Sequence, residues 1–509
     1  MASAGDPLES AWAHAAYVLG VAALAISLPA EAFVHTSAEL YLTLGLVGAW
    51  RYSWGAIHFG RSIYYRKYAY PRLVARATEA MKKAPTPDCY LLLTTFKIDR
   101  RTTTRVYRAA FEAARAAKGR AVVVASIVDV EDQELIEAIY ETYVGPQDDV
   151  RLDIVRIPGT GKRDALAHGF RAVARYRPAP HDLVAVIDGD SIVPVDLMAR
   201  CAPIFAADPG VGAVTTDERC ETEASALFRH WWSLRFAQRQ ILMCSMGLSD
   251  RVLTLTGRMS MFRADIICNP DFIERVESDY IDHWRLGRFK FLTGDDKSSW
   301  FWLLKNGFKM LYLPDVTVVT VENPPSPSFL KSASMLMFRW FGNMLRTNGR
   351  AAALGPRRIG FFTWWAIIDQ RVSMWTCLTG VAFAVLGAIF LTPLVLTFYV
   401  TWILASRYVM ALTLLTVQPR VSIAYPFLLY FNQIFGSVVK TFVLFRLNKQ
   451  KWTRQKTTLA TNVSGIQTLT ASFGSVYMHV LSVSVFFILI GLQMGVFSLP
   501  SKWLEFTVR

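Results

Sequence analysis

The sequence predicts an α/β domain that lies between two groups of membrane helices. Hydrophobic residues make up 53% of the 509 residues, yet the chain also has 55 lysine and arginine and 40 aspartate and glutamate residues. With a mean hydropathy of +0.28, such a chain must keep its apolar segments apart from its charged ones. The apolar segments lie near both ends, and the charged stretch between them alternates short β-branched runs with segments of helical spacing.

Two apolar segments near the N-terminus approach the length of a membrane span. They cover residues 12–30 and 39–58. An acidic stretch precedes the first segment and the second follows directly, so we interpret the first as an anchor and not as a cleaved signal peptide. Lysine and arginine are absent between the two segments but frequent at residues 61–72. The positive-inside rule therefore places the N-terminus and the middle domain in the cytoplasm.

The C-terminal part contains three further predicted spans and one ambiguous segment. The spans lie near residues 374–391, 394–416 and 474–498. Residues 421–445 are also apolar, but they include Lys440 and lead into a strongly basic run. A full crossing there would place those cations outside, so we expect an interfacial or re-entrant helix.

The formal net charge of +15 is best explained by the membrane. Anionic lipid attracts basic loops, and the basic residues are spread along segments that flank the predicted spans. They are not concentrated in a recognition helix or a tail, so we expect no nucleic-acid partner. The six cysteines form no C-x-x-C pair, and we expect reduced thiols and no structural zinc.

Five short apolar runs predict the strands of the middle domain. They cover residues 89–96, 121–130, 150–157, 182–190 and 211–218. Helical patterns lie between them, which predicts a mostly parallel sheet with helices on both faces. Ligands of such sheets bind beyond the carboxyl ends of the strands. Asp129, Asp188 and Asp190 fall at such ends.

Asp188 and Asp190 form a D-x-D pattern at the end of an apolar run. Two carboxylates at a strand end repel each other unless a cation lies between them. Hard divalent cations such as Mg2+ or Mn2+ prefer oxygen ligands and readily share them with phosphate. The pattern therefore indicates a metal site for a diphosphate. The alternative is a turn with two aspartates, because a chain of this length contains about one D-x-D by chance.

A glycine-rich turn at residues 159–166 opens a helix. Its backbone N–H groups, together with Lys162 and Arg163, predict an anion site. The turn lacks the spacing of a P-loop, so it does not indicate an ATPase.

Two later segments have both a structural and a functional interpretation. Asp295 and Asp296 begin a predicted helix, either as acidic first-turn residues or as the general base that an attacking sugar hydroxyl requires. The aromatic and basic stretch at residues 337–346 either lies on the lipid surface or contacts phosphate and sugar.

Together these motifs resemble those of a known enzyme class. The chain contains G-K-R at 161–163, D-G-D at 188–190, T-G-R-M-S-M-F at 256–262, T-G-D-D at 293–296, R-W at 339–340 and W-T-R at 452–454. The arrangement resembles the membrane-integrated, processive, inverting glycosyltransferases of the cellulose, chitin and hyaluronan synthase class. Longer segments, such as G-T-G-K-R-D-A-L-A-H-G-F-R-A-V from residue 159, are more similar to the bacterial alginate polymerases, the mannuronan synthases. The resemblance covers nearly the whole chain.

The resemblance implies a glycosyltransferase A-type (Rossmann-like) domain and a set of donor-binding residues. Nucleotide contacts would fall to Thr94, Phe96 and Asp129. The diphosphate would be approached by Lys162, Arg163 and Arg339. Ribose and a Mg2+ or Mn2+ ion would be held by Asp188 and Asp190.

The resemblance also implies catalytic and acceptor residues. Asp296 matches the catalytic base, with Asp295 as the alternative, and Trp340 and Arg258 would bind the acceptor. A gating loop at about residues 446–458 would close over the donor through Trp452, Thr453 and Arg454. Two positions depart from the pattern: Leu336 stands where the family's Q-x-x-R-W signature has glutamine, and the loop reads K-W-T-R without its glycine.

The resulting hypothesis is an enzyme that polymerises mannuronate from GDP-mannuronate into β-1,4-linked polymannuronate and moves it across the inner membrane. Its partners would be the growing polymannuronate chain, membrane lipid and a PilZ-domain co-polymerase that binds cyclic di-GMP. Arg407 and Lys440 would either contact the anionic polymer, or pair and snorkel. The alternatives are synthesis of another β-linked polysaccharide, non-processive transfer to a lipid phosphate, and a non-catalytic export channel.

The same hypothesis divides the chain into four parts. Two membrane helices occupy residues 1–60, the glycosyltransferase domain 61–330, interfacial amphipathic helices 331–372 and the C-terminal membrane region 373–509.

Overall fold

The computed structural model describes residues 6–29, 38–450 and 465–498. The α-helices are α1 Ala11–Ile26, α2 Ala38–Tyr64, α3 Tyr70–Met81, α4 Arg100–Arg115, α5 Val130–Tyr143, α6 Lys162–Arg175, α7 Leu197–Ala207, α8 Ala226–Gly247, α9 Ala264–Ile267, α10 Pro270–Glu277, α11 Asp295–Lys305, α12 Phe329–Ala353, α13 Pro356–Ile359, α14 Phe361–Phe390, α15 Leu394–Thr413, α16 Tyr425–Leu444 and α17 Gly465–Gln493. The strands are β1 Cys89–Thr94, β2 Ala121–Ile127, β3 Val150–Arg156, β4 Leu183–Asp188, β5 Ser191–Ile192, β6 Val211–Glu221, β7 Met259–Arg263, β8 Tyr280–His283, β9 Gly287–Lys290 and β10 Lys309–Val321.

The chain divides into two compact units. The first comprises Met1–Phe59, Asp369–Leu447 and Asn462–Arg509, and the second comprises Gly60–Ile368 and Asn448–Thr461. The second unit contains the strands, and the first contains the apolar helices of both ends of the chain.

The second unit is built on an eight-stranded sheet with the order β3-β2-β1-β4-β7-β6-β10-β5. Strands β3, β2, β1 and β4 are parallel to one another, and β10 is parallel to β6. Strand β7 runs antiparallel to β4 and β6, and β5 runs antiparallel to β10. All five predicted strands are present, which confirms the α/β class. The sheet is mixed because two short strands that the sequence pattern did not reveal, β5 and β7, enter it in the opposite direction.

Strand β2 shows why the apolar runs form the centre of this sheet. All of its residues are buried, as expected for a parallel strand covered on both faces, and helices α4 and α6 both pack against it. Asp99 is the N-cap of helix α4, and its side chain accepts a hydrogen bond of 2.9 Å from the backbone N–H of Thr102.

The strand order places β1 at a switch point of the sheet. From β1 the chain adds β2 and β3 on one side and β4 on the other. Thr94, the last residue of β1, is the register partner of Ser126 and of Asp188. The segments that follow β1, β2 and β4 therefore leave the same sheet edge side by side, which is where ligands bind in sheets of this kind.

The apolar helices at the C-terminal end include four that are long and apolar enough to cross a membrane. Among the described residues these are Phe361–Phe390, Leu394–Thr416, Tyr425–Leu444 and Thr470–Gln493. The predicted spans near 374–391, 394–416 and 474–498 fall within or largely overlap three of them. The fourth covers most of residues 421–445, for which we expect an interfacial or re-entrant helix. Its length and composition suit a crossing equally well, and its path stays a prediction.

Basic side chains inside the first unit have polar partners from other helices. Arg51 pairs with Asp369, and Arg407 donates to the side-chain oxygen of Gln433. Lys440 lies 3.5 Å from the hydroxyl of Ser373. Of the two predicted roles for Arg407 and Lys440, these contacts correspond to pairing within the protein.

Candidate active site

A cavity of about 640 Å³ opens at the carboxyl ends of β1 and β4. The residues predicted from sequence that line it are Thr94, Phe96, Lys162, Asp188, Asp190, Arg258, Asp295, Asp296, Arg339 and Trp340. All of these residues belong to the second unit. The fold thus brings segments that are far apart in the chain to one concave surface rich in charged side chains.

The D-G-D turn lies directly against the end of β1. The backbone N–H of Gly189 donates to the carbonyl oxygen of Thr94 over 3.0 Å. A Cβ atom at Gly189 would lie only 2.6 Å from that oxygen, so a larger residue would push the turn away from the strand. The small residue between the two aspartates keeps Asp188 and Asp190 at the sheet edge.

Lys162 joins the two acidic motifs of the cavity. Its ammonium group lies 2.6 Å from Asp188 and 3.1 Å from Asp295. The loop that carries Arg258 covers this contact, because a Cβ atom at Gly257 would lie 2.9 Å from both the Lys162 Nζ atom and an Asp188 oxygen. The cation predicted to bind the diphosphate is therefore also the ion-pair partner of two carboxylates.

The two adjacent aspartates of T-G-D-D have opposite electrostatic environments. Burial acts against ionisation of Asp295, but the charges of Lys162 and Arg163 outweigh it and lower the pKa of Asp295. Burial, and next the charge of Asp295, raise the pKa of Asp296. A raised pKa makes Asp296 the stronger proton acceptor of the two. Burial also raises the pKa of Asp188, to about 6, although Lys162 opposes this.

Backbone geometry fixes where these aspartates point. Gly294, the N-cap of α11, has a φ of +84°, and a Cβ atom there would lie 2.9 Å from Asn343. Asp295 and Asp296 follow in the first turn of the helix, where the helix dipole favours negative charge. The structural interpretation of the pair is confirmed, since the residues begin a helix; they also line the cavity, and their role as a general base stays a prediction.

Arg163 does not reach the cavity. Its guanidinium donates to the carbonyl oxygens of Val276 and Thr293 over 2.5 and 3.1 Å, and to the Ser298 hydroxyl over 3.1 Å. Consecutive residues of a helix project about 100° apart, so with Lys162 facing the cavity Arg163 turns into the core. In this structure Arg163 holds the segment before Asp295 and the first turn of α11, in contrast to the predicted contact with diphosphate.

Three other predicted residues are not placed at the cavity. Asp129 precedes α5 and is exposed, whereas its neighbour Val128 lines the cavity. Trp452 and Arg454 lie outside the described residues, as does the neighbouring Thr453.

Sequence reasoning missed Glu322 and Asn343, which line the cavity, and Glu218, which pairs with the predicted Arg258. Arg258 donates to Glu218 over 3.0 Å and to Glu322 over 2.5 Å, so carboxylates from β6 and from the segment after β10 neutralise it. Asn343 accepts a hydrogen bond of 2.7 Å from the Thr293 hydroxyl, close in sequence to Asp295 and Asp296. These residues carry no local motif, and only the pairing of distant segments identifies them.

Trp340 stands in an aromatic cluster at the cavity wall. Its ring centroid lies 5.8 Å from that of Trp231, with the rings nearly parallel, and 5.4 Å from that of Trp232 in an edge-on arrangement. Leu336, which replaces the family's glutamine, also lines the cavity one helical turn earlier. The indole of Trp340 thus packs against two other indoles at the cavity wall.

The donor set of the cavity fits a magnesium or manganese ion. Asp188 and Asp190 supply two carboxylates, and Lys162 already engages the first. No group of three or more metal-binding side chains occurs within the described ranges. Mg2+ usually takes one or two carboxylates and completes its shell with water and substrate phosphates, so two aspartates are an adequate protein contribution.

Residues 87–343 match a family described as Glycosyltransferase like family 2. The chain is a family-2 glycosyltransferase. This assignment confirms the predicted family and the glycosyltransferase A-type α/β fold, and the matched residues contain every segment of the cavity described above.

The glycosyltransferase is also similar to named proteins over almost its full length. It is 44% identical over 467 residues to "Glycosyltransferase alg8" of Pseudomonas syringae pv. tomato, covering 90% of this chain and 94% of the relative. It is 44% identical over 473 residues to "Glycosyltransferase alg8" of Azotobacter vinelandii, covering 91% and 95%. A solved mannosyltransferase from Pyrobaculum calidifontis, in complex with GDP-Man and Mn2+, aligns with 19% identity and a TM-score of 0.45, over 79% of this chain and 98% of that one.

Proposed function

We propose that this glycosyltransferase polymerises mannuronate from GDP-mannuronate into a β-1,4-linked chain, the precursor of alginate. One observation carries the proposal: a partly buried acidic pair, Lys162 and Trp340 share one cavity. The close similarity to the alg8 glycosyltransferases supports the choice of an alginate-type sugar.

The chemistry assigns the protein residues distinct tasks. Asp296, with its raised pKa, accepts the proton of the 4-hydroxyl group at the non-reducing end of the acceptor. The hydroxyl oxygen then attacks the anomeric carbon in line, the bond from that carbon to the diphosphate breaks, and an α-linked donor becomes a β-linked product. GDP leaves with the bonding electron pair, and Lys162 offsets part of its negative charge.

A divalent cation would complete this arrangement. Asp188 and Asp190 are the residues that would hold Mg2+ or Mn2+, and the ion would supply positive charge for the leaving diphosphate.

We propose that the product chain leaves the cavity past Trp340. A sugar stacked on this indole keeps the acceptor end in the cavity between additions, which is what processive synthesis requires. We propose that the helices of the first unit carry the chain across the inner membrane, with the second unit in the cytoplasm and the basic segment at about residues 446–458 gating the donor site. Membrane lipid would contact the apolar helices, among them those that are long enough to span.

Regulation would come from outside this chain. We propose a PilZ-domain co-polymerase that binds cyclic di-GMP as the activating partner, on the basis of the resemblance to the alginate polymerases.

Synthesis of another β-linked polysaccharide would use the same residues and differ in the donor. Transfer of a single sugar to a lipid phosphate has no need for a rigid tryptophan at the acceptor side, so the placement of Trp340 favours a polymer. A non-catalytic channel has no need for two adjacent carboxylates whose pKa values shift in opposite directions.

Release of GDP by membranes that contain the protein and its activating partner tests the proposal. The donors are GDP-mannuronate, GDP-mannose and UDP-sugars, each with and without Mg2+ or Mn2+, and the variants are Asp296→Asn and the control Asp282→Asn. Asp282 is exposed and pairs with exposed Arg288, a contact of small energetic value. We expect turnover of GDP-mannuronate alone, with formation of a lyase-sensitive polymer. Asp296→Asn should abolish this turnover, and Asp282→Asn should retain it. Turnover of a different donor would refute the sugar assignment, and no turnover of any donor by a folded, partner-bound protein would refute catalysis.

A further inference from the structure

Helix α8 places an arginine on the proposed sugar platform. The guanidinium carbon of Arg235 lies 4.2 Å from the ring centroid of Trp340 and 5.2 Å from that of Trp231. Trp340 lines the cavity, and Arg235, which stacks on its ring, is partly exposed. A guanidinium that stacks on an indole keeps its N–H edges free for other partners.

Neighbouring arginines have carboxylate partners, but Arg235 differs. Glu218 lies 3.2 Å from Arg239 and 3.0 Å from Arg258, and Glu322 lies 2.5 Å from Arg258. Within the described ranges, the contacts of Arg235 are with aromatic rings, and no carboxylate lies at ion-pair distance. Burial, and next the charge of Arg258, lower the pKa of Arg235 to about 10. The protein therefore holds a partly desolvated cation at Trp340 without an offsetting anion.

We infer that Arg235 binds the carboxylate of the acceptor-chain sugar that contacts Trp340. This inference rests on the proposed function, because it assumes that the acceptor is a uronate polymer. A carboxylate accepts two parallel N–H bonds from a guanidinium, and a uronate ring presents both an apolar face for the indole and a carboxylate at its edge. Arg235 would thus select an anionic acceptor over a neutral one.

Equilibrium binding of two fluorescent oligosaccharides to the detergent-solubilised full chain, without donor, tests the inference. One probe is a β-1,4-linked oligomannuronate, and the other is the same oligomer after reduction of its carboxylates to alcohols. The variants are Arg235→Gln, which removes the charge, and Arg235→Lys, which retains it. The control is Arg229→Gln on the same helix, since Arg229 is exposed and donates to the carbonyl oxygen of Ala224 over 2.7 Å.

We expect the wild type and Arg229→Gln to bind the anionic oligomer roughly 10- to 100-fold more tightly than the neutral one, as a charge-assisted hydrogen bond provides. Arg235→Gln should lose that preference while its affinity for the neutral oligomer stays unchanged, and Arg235→Lys should keep part of it. An equal loss for both oligomers in Arg235→Gln would mean that Arg235 only supports Trp340, and would overturn the inference.

Failure of the inference and failure of the proposed function give different results. A wild type that releases GDP from GDP-mannuronate but binds both oligomers equally refutes the Arg235 site alone. A wild type with an Arg235-dependent preference that releases no GDP from GDP-mannuronate refutes the proposed donor alone.

Discussion

Replacing Lys162 with methionine should destabilise the second unit strongly. The ammonium group lies 2.6 Å from Asp188 and 3.1 Å from Asp295, and its side chain is 20% exposed. At an effective dielectric constant of about 20, each contact has a gross Coulomb energy of roughly 5–6 kcal/mol. Desolvation offsets much of this, but removing the lysine leaves two largely buried carboxylates, 27% and 14% exposed, without their cation, which costs up to about 3–5 kcal/mol. A loss of that size lowers the melting temperature of a unit of more than 300 residues by about 4–7 °C.

The loss should depend on pH in a defined direction. Burial, opposed by Lys162, raises the pKa of Asp188 to about 6. Without the lysine this pKa rises further, so an ionised Asp188 costs stability at neutral pH and the cost disappears as the pH falls and the carboxylate takes up a proton. We expect the difference between wild type and Lys162→Met to be largest above pH 7 and to shrink towards pH 5.

Thermal unfolding of the purified protein in detergent, followed by tryptophan fluorescence between pH 5 and 8, measures this effect. Lys309→Met is a matched control, because Lys309 also contacts two aspartates, Asp208 at 2.7 Å and Asp250 at 3.5 Å, but is 39% exposed. Its removal should cost less than about 1 kcal/mol. Equal losses in both variants, or a Lys162→Met loss that does not change with pH, would refute the electrostatic argument.

Three further outcomes are expected. Burial and the charge of Asp295 raise the pKa of Asp296, so Asp296 takes up a proton, and can no longer act as a base, at a higher pH than an ordinary aspartate of pKa about 3.9. The rate of GDP release should therefore decline at a correspondingly higher pH. A rate unchanged down to pH 4 would contradict this. Chelation with EDTA should abolish GDP release and Mg2+ or Mn2+ should restore it, with a weaker response in Asp190→Asn; full activity in EDTA would exclude the metal. Gly294→Ala should lower both the melting temperature and the rate of GDP release by more than Gly307→Ala does. Both glycines have φ above +80°, where an alanine costs about 1–3 kcal/mol, but only at Gly294 would the new Cβ atom meet a close neighbour, Asn343 at 2.9 Å. Equal effects of the two substitutions would show that the contact with Asn343 is unimportant.

Local sequence patterns predicted the strands that form the sheet edge at the cavity. The runs at 89–96, 121–130 and 182–190 were recognisable because a strand buried on both faces needs a nearly continuous apolar sequence. Strands β5 and β7 were not, because runs of two and five residues are too short to stand out from loops.

The sequence correctly predicted those cavity residues that belong to short, contiguous motifs. D-G-D and T-G-D-D are both at the cavity, and so are Arg339 and Trp340. Arg163 was assigned to the same anion site as Lys162, but in the structure it points into the core. The prediction was wrong because proximity in sequence does not tell which side of a helix faces the ligand.

The sequence by itself determined the α/β domain between apolar segments, the family and the identity of the acidic motifs, since these depend on periodicity and on neighbouring residues. Only the tertiary structure decided which charged side chains form ion pairs. It set Lys162 between Asp188 and Asp295 and gave Arg258 the carboxylates of Glu218 and Glu322. It placed Arg235 on Trp340, with no carboxylate at ion-pair distance among the residues that the structure describes. The physical reason is that a pKa or an affinity depends on distances of a few ångströms between residues that are tens to more than a hundred positions apart in the chain.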